Sequence, residues 1–429
     1  MALREDGGRR VVLTGIGMVT PVGNTRETTW ESIVAGKSGG APITIFPLRD
    51  APVRFACEGK DFEPTVAMDR KLARRTDRYC QFVLVAAREA IEDSGLDVTA
   101  EGLGDRTGTA VATGIGGLQT LDLAHEHLFA KGIDRMSPLW ITMLIPNMGA
   151  AMVSMEYGFR GPSSTVTTAC AASSMAIGDA VGTIRDGRAD VMVAGGSEAP
   201  ITPIGVGGFY AMRAISQRND DPATASRPFD AGRDGFVIGE GSTIVVLEEL
   251  EHARARGARI YGEIMGYGCT ADAHHVTEPD PTGVNPARAM RMALEEAGMD
   301  ASEIGYINAH GTSTPVGDSA ETRVIKQVLG EQRAYEVPIS STKSMTGHML
   351  GAAGSTELSL TALAMCRNVL PPTINQFEAD PSCDLDYVPN EARHGVDVKV
   401  GLSNGFGFGG HNASLVLRRW AEADGRHVT

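Results

Sequence analysis

The chain has 429 residues, with 39 Lys and Arg against 53 Asp and Glu, a formal charge of −14. That balance excludes a broad basic surface for nucleic acid or anionic lipid, and 42% hydrophobic with 21% charged residues excludes a disordered or fibrous chain. Fifty-two glycines beside only 5% aromatics point to many tight turns and close backbone approaches.

The opening residues hold no apolar core of a signal peptide, and no stretch reaches the roughly 20 apolar residues of a membrane helix. A cytoplasmic protein without a membrane partner is expected. Six cysteines (Cys57, Cys80, Cys170, Cys269, Cys366 and Cys383) stand singly with no CxxC pair, which fits neither a disulfide framework nor a zinc site.

Strand and helix signals alternate along nearly the whole length, which predicts a layered α/β fold with largely parallel sheets. Apolar β-rich runs fall at 10–15, 108–113, 164–168, 190–195 and 242–248, with helical patterns at 81–94 and 171–187. They recur at 260–266, 304–309, 337–341, 398–403 and 414–417, with helices near 286–298, 319–329 and 350–367. Each half has about five strands in similar order, so an internal duplication with a join near residue 255 is expected. The expected units are 9–255, 256–419 and a tail, 420–429, with no linker between the two halves.

The stretch 165–178 (TVTTACAASSMAIG) places Cys170 where a β-rich run stops and a small-residue helix begins. A helix N-terminus there would lower the thiol pKa and favour thiolate, and the N–H groups of the turn can receive an oxyanion. A buried structural cysteine is the alternative. In 306–318 (YINAHGTSTPVGD), His310 stands where a strand gives way to a hydroxyl-rich loop; in 341–354 (STKSMTGHMLGAAG), His348 stands at a helix start, which favours neutral imidazole. Each histidine taken alone also fits a hydrogen-bonded structural role. The segment 403–412 (SNGFGFGGHN) has no Gly-Lys-Ser/Thr to make it a phosphate loop. It reads as a turn near a reaction centre or as a plain hairpin turn. No metal-ligand spacing occurs.

Together these residues resemble the β-ketoacyl-acyl-carrier-protein synthases, the condensing enzymes of the thiolase fold. The likeness runs through VVLTGIGMVTPVG at 11–23, DVMVAGGSE at 190–198, SRPFD at 226–230, RDGF at 233–236, NAHGT at 308–312, KSMTGH at 343–348 and FGFGG at 406–410. The Cys-His-His set resembles the elongating branch, since the initiating branch has Asn for the second His, and the KSMTGH wording resembles its type II members. The resemblance implies two duplicated α/β halves in a five-layer α-β-α-β-α arrangement. It also implies a reaction in which Cys170 takes an acyl chain and a decarboxylated malonyl unit then lengthens it by two carbons.

By the same resemblance, Cys170, His310 and His348 are catalytic, Lys343 and Glu357 form a supporting ion pair, and the N–H groups of Cys170 and Phe408 make the oxyanion hole. Thr312, Thr314 and Thr277 are placed against the pantetheine, Phe406 and Phe408 at the gate of the acyl pocket, and Ile115 in its wall. No metal, nucleotide or other cofactor is implied beyond the phosphopantetheine of acyl carrier protein, which is the expected partner. An acidic carrier needs a local basic patch on this acidic chain. Lys71, Arg74 and Arg75, in DRKLARR at 69–75, supply one at helical spacing, and Arg135 and Arg213 fall where the family's docking cations lie. A homodimer in fatty-acid synthesis is expected; the alternative is the ketosynthase subunit of a type II polyketide system, paired with a chain-length-factor-like chain that lacks the cysteine. A non-catalytic chain-length subunit is opposed by the intact Cys-His-His set.

Overall fold

The computed structural model describes residues 8–48 and 51–421, so the expected tail at 420–429 lies almost wholly outside the described residues. The first half contributes strands β1 (Val11–Val19), β2 (Thr107–Ala112), β3 (Ser163–Ser164), β4 (Val191–Glu198) and β5 (Gly241–Glu249). With them come helices α1 (Arg78–Ser94), α2 (Met148–Tyr157) and α3 (Ala172–Arg185). The second half contributes β6 (Gly262–Ala271), β7 (Tyr306–Asn308), β8 (Ile339–Ser340), β9 (Val400–Gly407) and β10 (His411–Arg419), with α4 (Val284–Ala297), α5 (Pro315–Leu329) and α6 (Ala353–Arg367).

The strands run β3-β2-β4-β5-β1 in one half and β8-β7-β9-β10-β6 in the other, the same order when each half is counted from its own first strand. The two first strands pair at Val12–Glu263 and Leu13–Gly262, antiparallel. The expected largely parallel sheet is corrected. In each half the outer strands are parallel (β2 with β3 and β4, β7 with β8 and β9) and the inner ones antiparallel. A three-residue turn at 408–410 joins β9 to β10, too short for the crossover that parallel pairing needs.

Helices α3 and α6 pack on each other between the two half-sheets, α3 against β2 and β4, α6 against β9 and β10. Outside, α1 covers β1 and β5, α2 covers β2, and α4 covers β6 and β10 with α5 beside it, which completes five layers. Every residue of α6 from Ala353 to Met365 is buried, as a helix enclosed by protein on all sides requires. Its small-residue composition is what lets it pass between two sheets.

The duplication is also written in glycine. A Cβ on Gly17 would lie 1.9 Å from the Ala86 carbonyl and one on Gly15 2.1 Å from that of Ala90, so β1 sits directly on the backbone of α1. In the second half a Cβ on Gly268 would lie 2.0 Å from the Ala289 carbonyl and one on Gly266 1.9 Å from that of Ala293. Each half thus uses the same G-x-G on its first strand against A-x-x-x-A on its outer helix. Gly17→Ala and Gly268→Ala are each expected to cost about 1–3 kcal/mol or more, because backbone cannot yield as a side chain can. Gly207→Ala, with open space at its Cβ, is expected to be neutral. Urea unfolding of the three variants checks this, and equal midpoints would contradict it.

Candidate active site

Cys170 lies in a short 3-10 turn, Ala169–Ala171, that runs straight into α3, and is 5% exposed. The turn is tight: Ala169, a non-glycine, is held at φ 49°, a conformation that persists only where its surroundings fix it. Gly407, the last residue of β9, presses on it, since a Cβ there would stand 2.7 Å from the Thr168 carbonyl and 3.1 Å from the Cys170 nitrogen. The N–H groups of Phe408 and of Cys170 itself are directed at the sulfur.

The expected thiolate is corrected. Burial pushes the Cys170 thiol up to about 12, against the lowering pull of the Lys343 charge and the two N–H groups. The helix end is present, but desolvation is the larger effect.

His310 follows β7, and its ring stands edge-on to that of His348 at 5.4 Å and 83° and lies 5.8 Å from Phe406. The His348 backbone is tied to the 237–239 segment, its N–H donating to the Val237 carbonyl at 2.7 Å while its carbonyl accepts from Gly239 at 2.8 Å. Burial and the neighbouring Lys343 charge hold both imidazoles well below their usual pKa, so both are neutral. The His348 Nδ1 accepts the Leu350 N–H at 3.3 Å, which leaves the proton on Nε2. Lys343 is ion-paired with Glu357, both fully buried. Its charge acts on Cys170, His310 and His348 alike and is the one charge common to all three, second in each to burial.

The family description "Beta-ketoacyl synthase, N-terminal domain" matches residues 8–253 and its C-terminal counterpart residues 261–377. The chain belongs to the β-ketoacyl synthase family. A 3-oxoacyl-[acyl-carrier-protein] synthase 2 of Synechocystis sp. is 50% identical over 412 residues, covering 96% of this chain and 98% of the relative. Two solved structures, each 36% identical, cover 96% of this chain and are themselves covered in full. They are the ishigamide ketosynthase/chain length factor, at a TM-score of 0.90, and a type II polyketide ketosynthase in complex with its acyl-carrier protein, at 0.88.

The remaining predicted residues of this ketosynthase divide by position. Thr312 and Thr314 share a hydroxyl contact of 3.0 Å, on a loop that turns at Ser313 with φ 68°. Thr277 is half-buried on a loop that crosses the Phe406–Phe408 hairpin, where the Val276 carbonyl accepts the Gly409 N–H at 2.9 Å. The segment 403–412 is therefore both a hairpin turn and part of the site. Ile115 sits in the loop after β2, 36% exposed. Lys71, Arg74 and Arg75 are exposed, as are Arg135 and Arg213, and none has an ion pair among the described residues. The helix that carries the basic cluster is only Arg70–Ala73, so Arg74 caps it and Arg75 lies beyond.

Sequence reasoning missed four buried groups that hold these loops. Glu321 accepts the backbone N–H groups of His310 and Gly311 at 2.9 and 2.7 Å. Asp318 accepts those of Phe229 and Ser313 at 2.8 and 3.1 Å. Arg233 donates to the carbonyls of Thr314 and Pro315 at 3.0 and 2.9 Å. Glu198, at the end of β4, accepts from both the 113–115 loop and Gly351. No group of three or more His, Cys, Asp or Glu is placed to hold a metal ion among the described residues, and none of their helices is long and apolar enough to cross a membrane.

The raised thiol pKa has a direct readout. Alkylation of Cys170 by iodoacetamide, followed by peptide mass spectrometry, is expected to speed up about tenfold per pH unit from about pH 7 to 10 with no plateau. A plateau below about pH 8.5 would show that Lys343 and the helix end outweigh burial.

Proposed function

We propose that this ketosynthase is an elongating β-ketoacyl-acyl-carrier-protein synthase that extends a Cys170-bound acyl chain by two carbons in fatty-acid synthesis. The observation that carries it is the pair of neutral histidines grouped with a cysteine whose sulfur faces two backbone N–H donors. The reading is supported by the half-identity with a relative named 3-oxoacyl-[acyl-carrier-protein] synthase 2.

In the first half-reaction Cys170 Sγ attacks the thioester carbon of an acyl carrier. The tetrahedral oxyanion rests on the N–H groups of Cys170 and Phe408, and the pantetheine thiol leaves with the proton that Sγ gives up. In the second, a malonyl-carrier thioester enters. Its bond to the carboxyl carbon breaks, carbon dioxide departs, and the electron pair becomes an enolate whose oxygen is held by neutral imidazole N–H groups. His348 is prepared for this because its Nδ1 is already occupied by the Leu350 N–H. The enolate carbon then attacks the acyl-Cys170 carbonyl and Sγ is expelled, giving the β-ketoacyl carrier. Burial, aided by the charge of Lys343 that Glu357 fixes, keeps both histidines uncharged.

Thr312, Thr314 and Thr277 would hold the pantetheine, Phe406 and Phe408 would gate the acyl pocket, and Ile115 would form its wall. Acyl carrier protein would dock on Lys71, Arg74, Arg75, Arg135 and Arg213. A dimer is supported by a run of exposed apolar side chains on and beyond the Leu118–Lys131 helix, Phe129 and Ile133 each 76% exposed among them. A homodimer is favoured. A ketosynthase of a type II polyketide system, paired with a cysteine-less partner, is the second reading, supported by the two structural likenesses.

Two experiments test the proposal. With acyl- and malonyl-carrier substrates, mass spectrometry is expected to show one two-carbon extension for the wild-type protein and no acyl-enzyme for Cys170→Ala; a lone wild-type protein that never becomes acylated would refute the homodimer. Reversing Lys71, Arg74 and Arg75 to Glu is expected to raise KM for the carrier about tenfold or more with kcat within about twofold, and to flatten the salt dependence of kcat/KM. An unchanged KM would remove the cluster from the docking surface.

A further inference from the structure

Glu198 has a role that the reaction described above does not use. It ends β4 with its side chain fully buried, and no ion pair reaches it among the described residues. Its charge is met instead by four donors. Oε1 accepts from the Thr113 hydroxyl at 2.9 Å and the Ile115 N–H at 3.1 Å, and Oε2 from the N–H groups of Gly114 at 2.6 Å and Gly351 at 2.9 Å. The donors come from two segments far apart in sequence. One is the loop after β2, which carries Ile115; the other is the 3-10 turn Leu350–Ala352 that opens into α6 directly after His348.

The two segments are in backbone contact where they meet the carboxylate. A Cβ on Gly351 would stand 2.4 Å from the Gly114 nitrogen, and a Cβ on either glycine would stand 2.7 Å from Oε2. Within the turn Leu350 is held at φ 45°, its N–H donates to the His348 ring, and its side chain packs in the same apolar cluster as Cys170. Moving Gly351 therefore moves the group that orients the imidazole.

We infer that Glu198 is a positioning residue that fixes the Ile115 loop and the Leu350–Ala352 turn against each other, so that acyl-chain selection and malonyl decarboxylation are set by one carboxylate. The inference rests on the function proposed above. All four partners donate, so only an acceptor serves at this position. Glu198→Gln keeps the size but turns an N–H₂ group toward at least one donor.

The test uses the full-length protein. Cys170 acylation is timed with a short and a long acyl carrier, and carbon dioxide release from malonyl carrier is timed with no acyl donor present. In Glu198→Gln, decarboxylation kcat is expected to fall about tenfold or more and the long-to-short acylation ratio to shift several-fold. Thr113→Val, which removes one of the four donors, is expected to move both quantities the same way by less, and it serves where the Gln variant does not fold. If both rates fall by one common factor with the chain-length ratio unchanged, Glu198 merely stabilises the fold and the inference fails. If only one half-reaction responds, the coupling fails. A wild-type protein that takes up no acyl group and releases no carbon dioxide would instead overturn the underlying function.

Discussion

The site depends on one close contact, that between the starts of α3 and α6 at the centre of the molecule. A Cβ on Gly354 would fall 2.0 Å from Ser174 Oγ, and the Ser355 N–H donates to Ser173 Oγ at 2.9 Å. Each helix opens in the same way, with a left-handed non-glycine residue leading a 3-10 turn: Ala169 at φ 49° before α3 and Leu350 at φ 45° before α6. Pressing two such turns together brings Cys170 from one half beside the His348 turn from the other. Neither half contains the site alone.

The duplication also shows how the two turns differ. β4 and β9 are the fourth strands of their halves, and the last residue of each lies against the turn of the opposite half. At the end of β4 stands Glu198, whose carboxylate occupies the Gly351 N–H. At the end of β9 stands Gly407, which has no side chain and leaves the Cys170 N–H open toward the sulfur and whatever the sulfur attacks. Two copies of one backbone device thus differ by a single side chain, one leaving the turn's N–H free beside the thiol and the other occupying it with a carboxylate.

Much of this was legible in the sequence, for identifiable reasons. The turn at Cys170 showed because a β-rich run met a small-residue helix, although the strand there is only Ser163–Ser164, and the two histidines because each lies beyond an apolar run in a segment rich in glycine and hydroxyl residues. Lys343 and Glu357 came only from family likeness, since nothing local marks an ion pair fourteen residues apart. The thiolate expected at Cys170 failed because a helix end is a local feature whereas desolvation is set by the whole surrounding fold. The parallel sheet failed because a hairpin and a crossover both read as strand, loop, strand. Glu198 was invisible as a functional group: a glutamate closing an apolar strand reads as its boundary, and its partners at 113–115 and 351 lie far away in sequence.

Four carboxylates line this region, Glu198, Asp318, Glu321 and Glu357, and burial raises the pKa of each; Glu198, Asp318 and Glu357 reach about 7. A folded-state pKa above the unfolded one means that the folded protein holds the proton longer, so these groups subtract stability as pH rises from the usual carboxylate range toward 7. The fold carries that cost at neutral pH, and the hydrogen bonds show what it obtains. Glu321 holds the backbone at His310 and Gly311, Asp318 that at Ser313 and Phe229, Glu198 that at Gly351 and the Ile115 loop, and Glu357 holds Lys343. None of the four is bonded to the side chain of Cys170, His310 or His348. Glu321, Asp318 and Glu198 act as acceptors for loops that have left regular secondary structure and whose N–H groups would otherwise be buried unpaired. Lys343, itself held by one of them, adds its charge to the burial that keeps the histidines neutral. In the proposed reaction the chemistry thus rests on uncharged imidazoles and backbone N–H groups, with the buried carboxylates and Lys343 used as scaffolding.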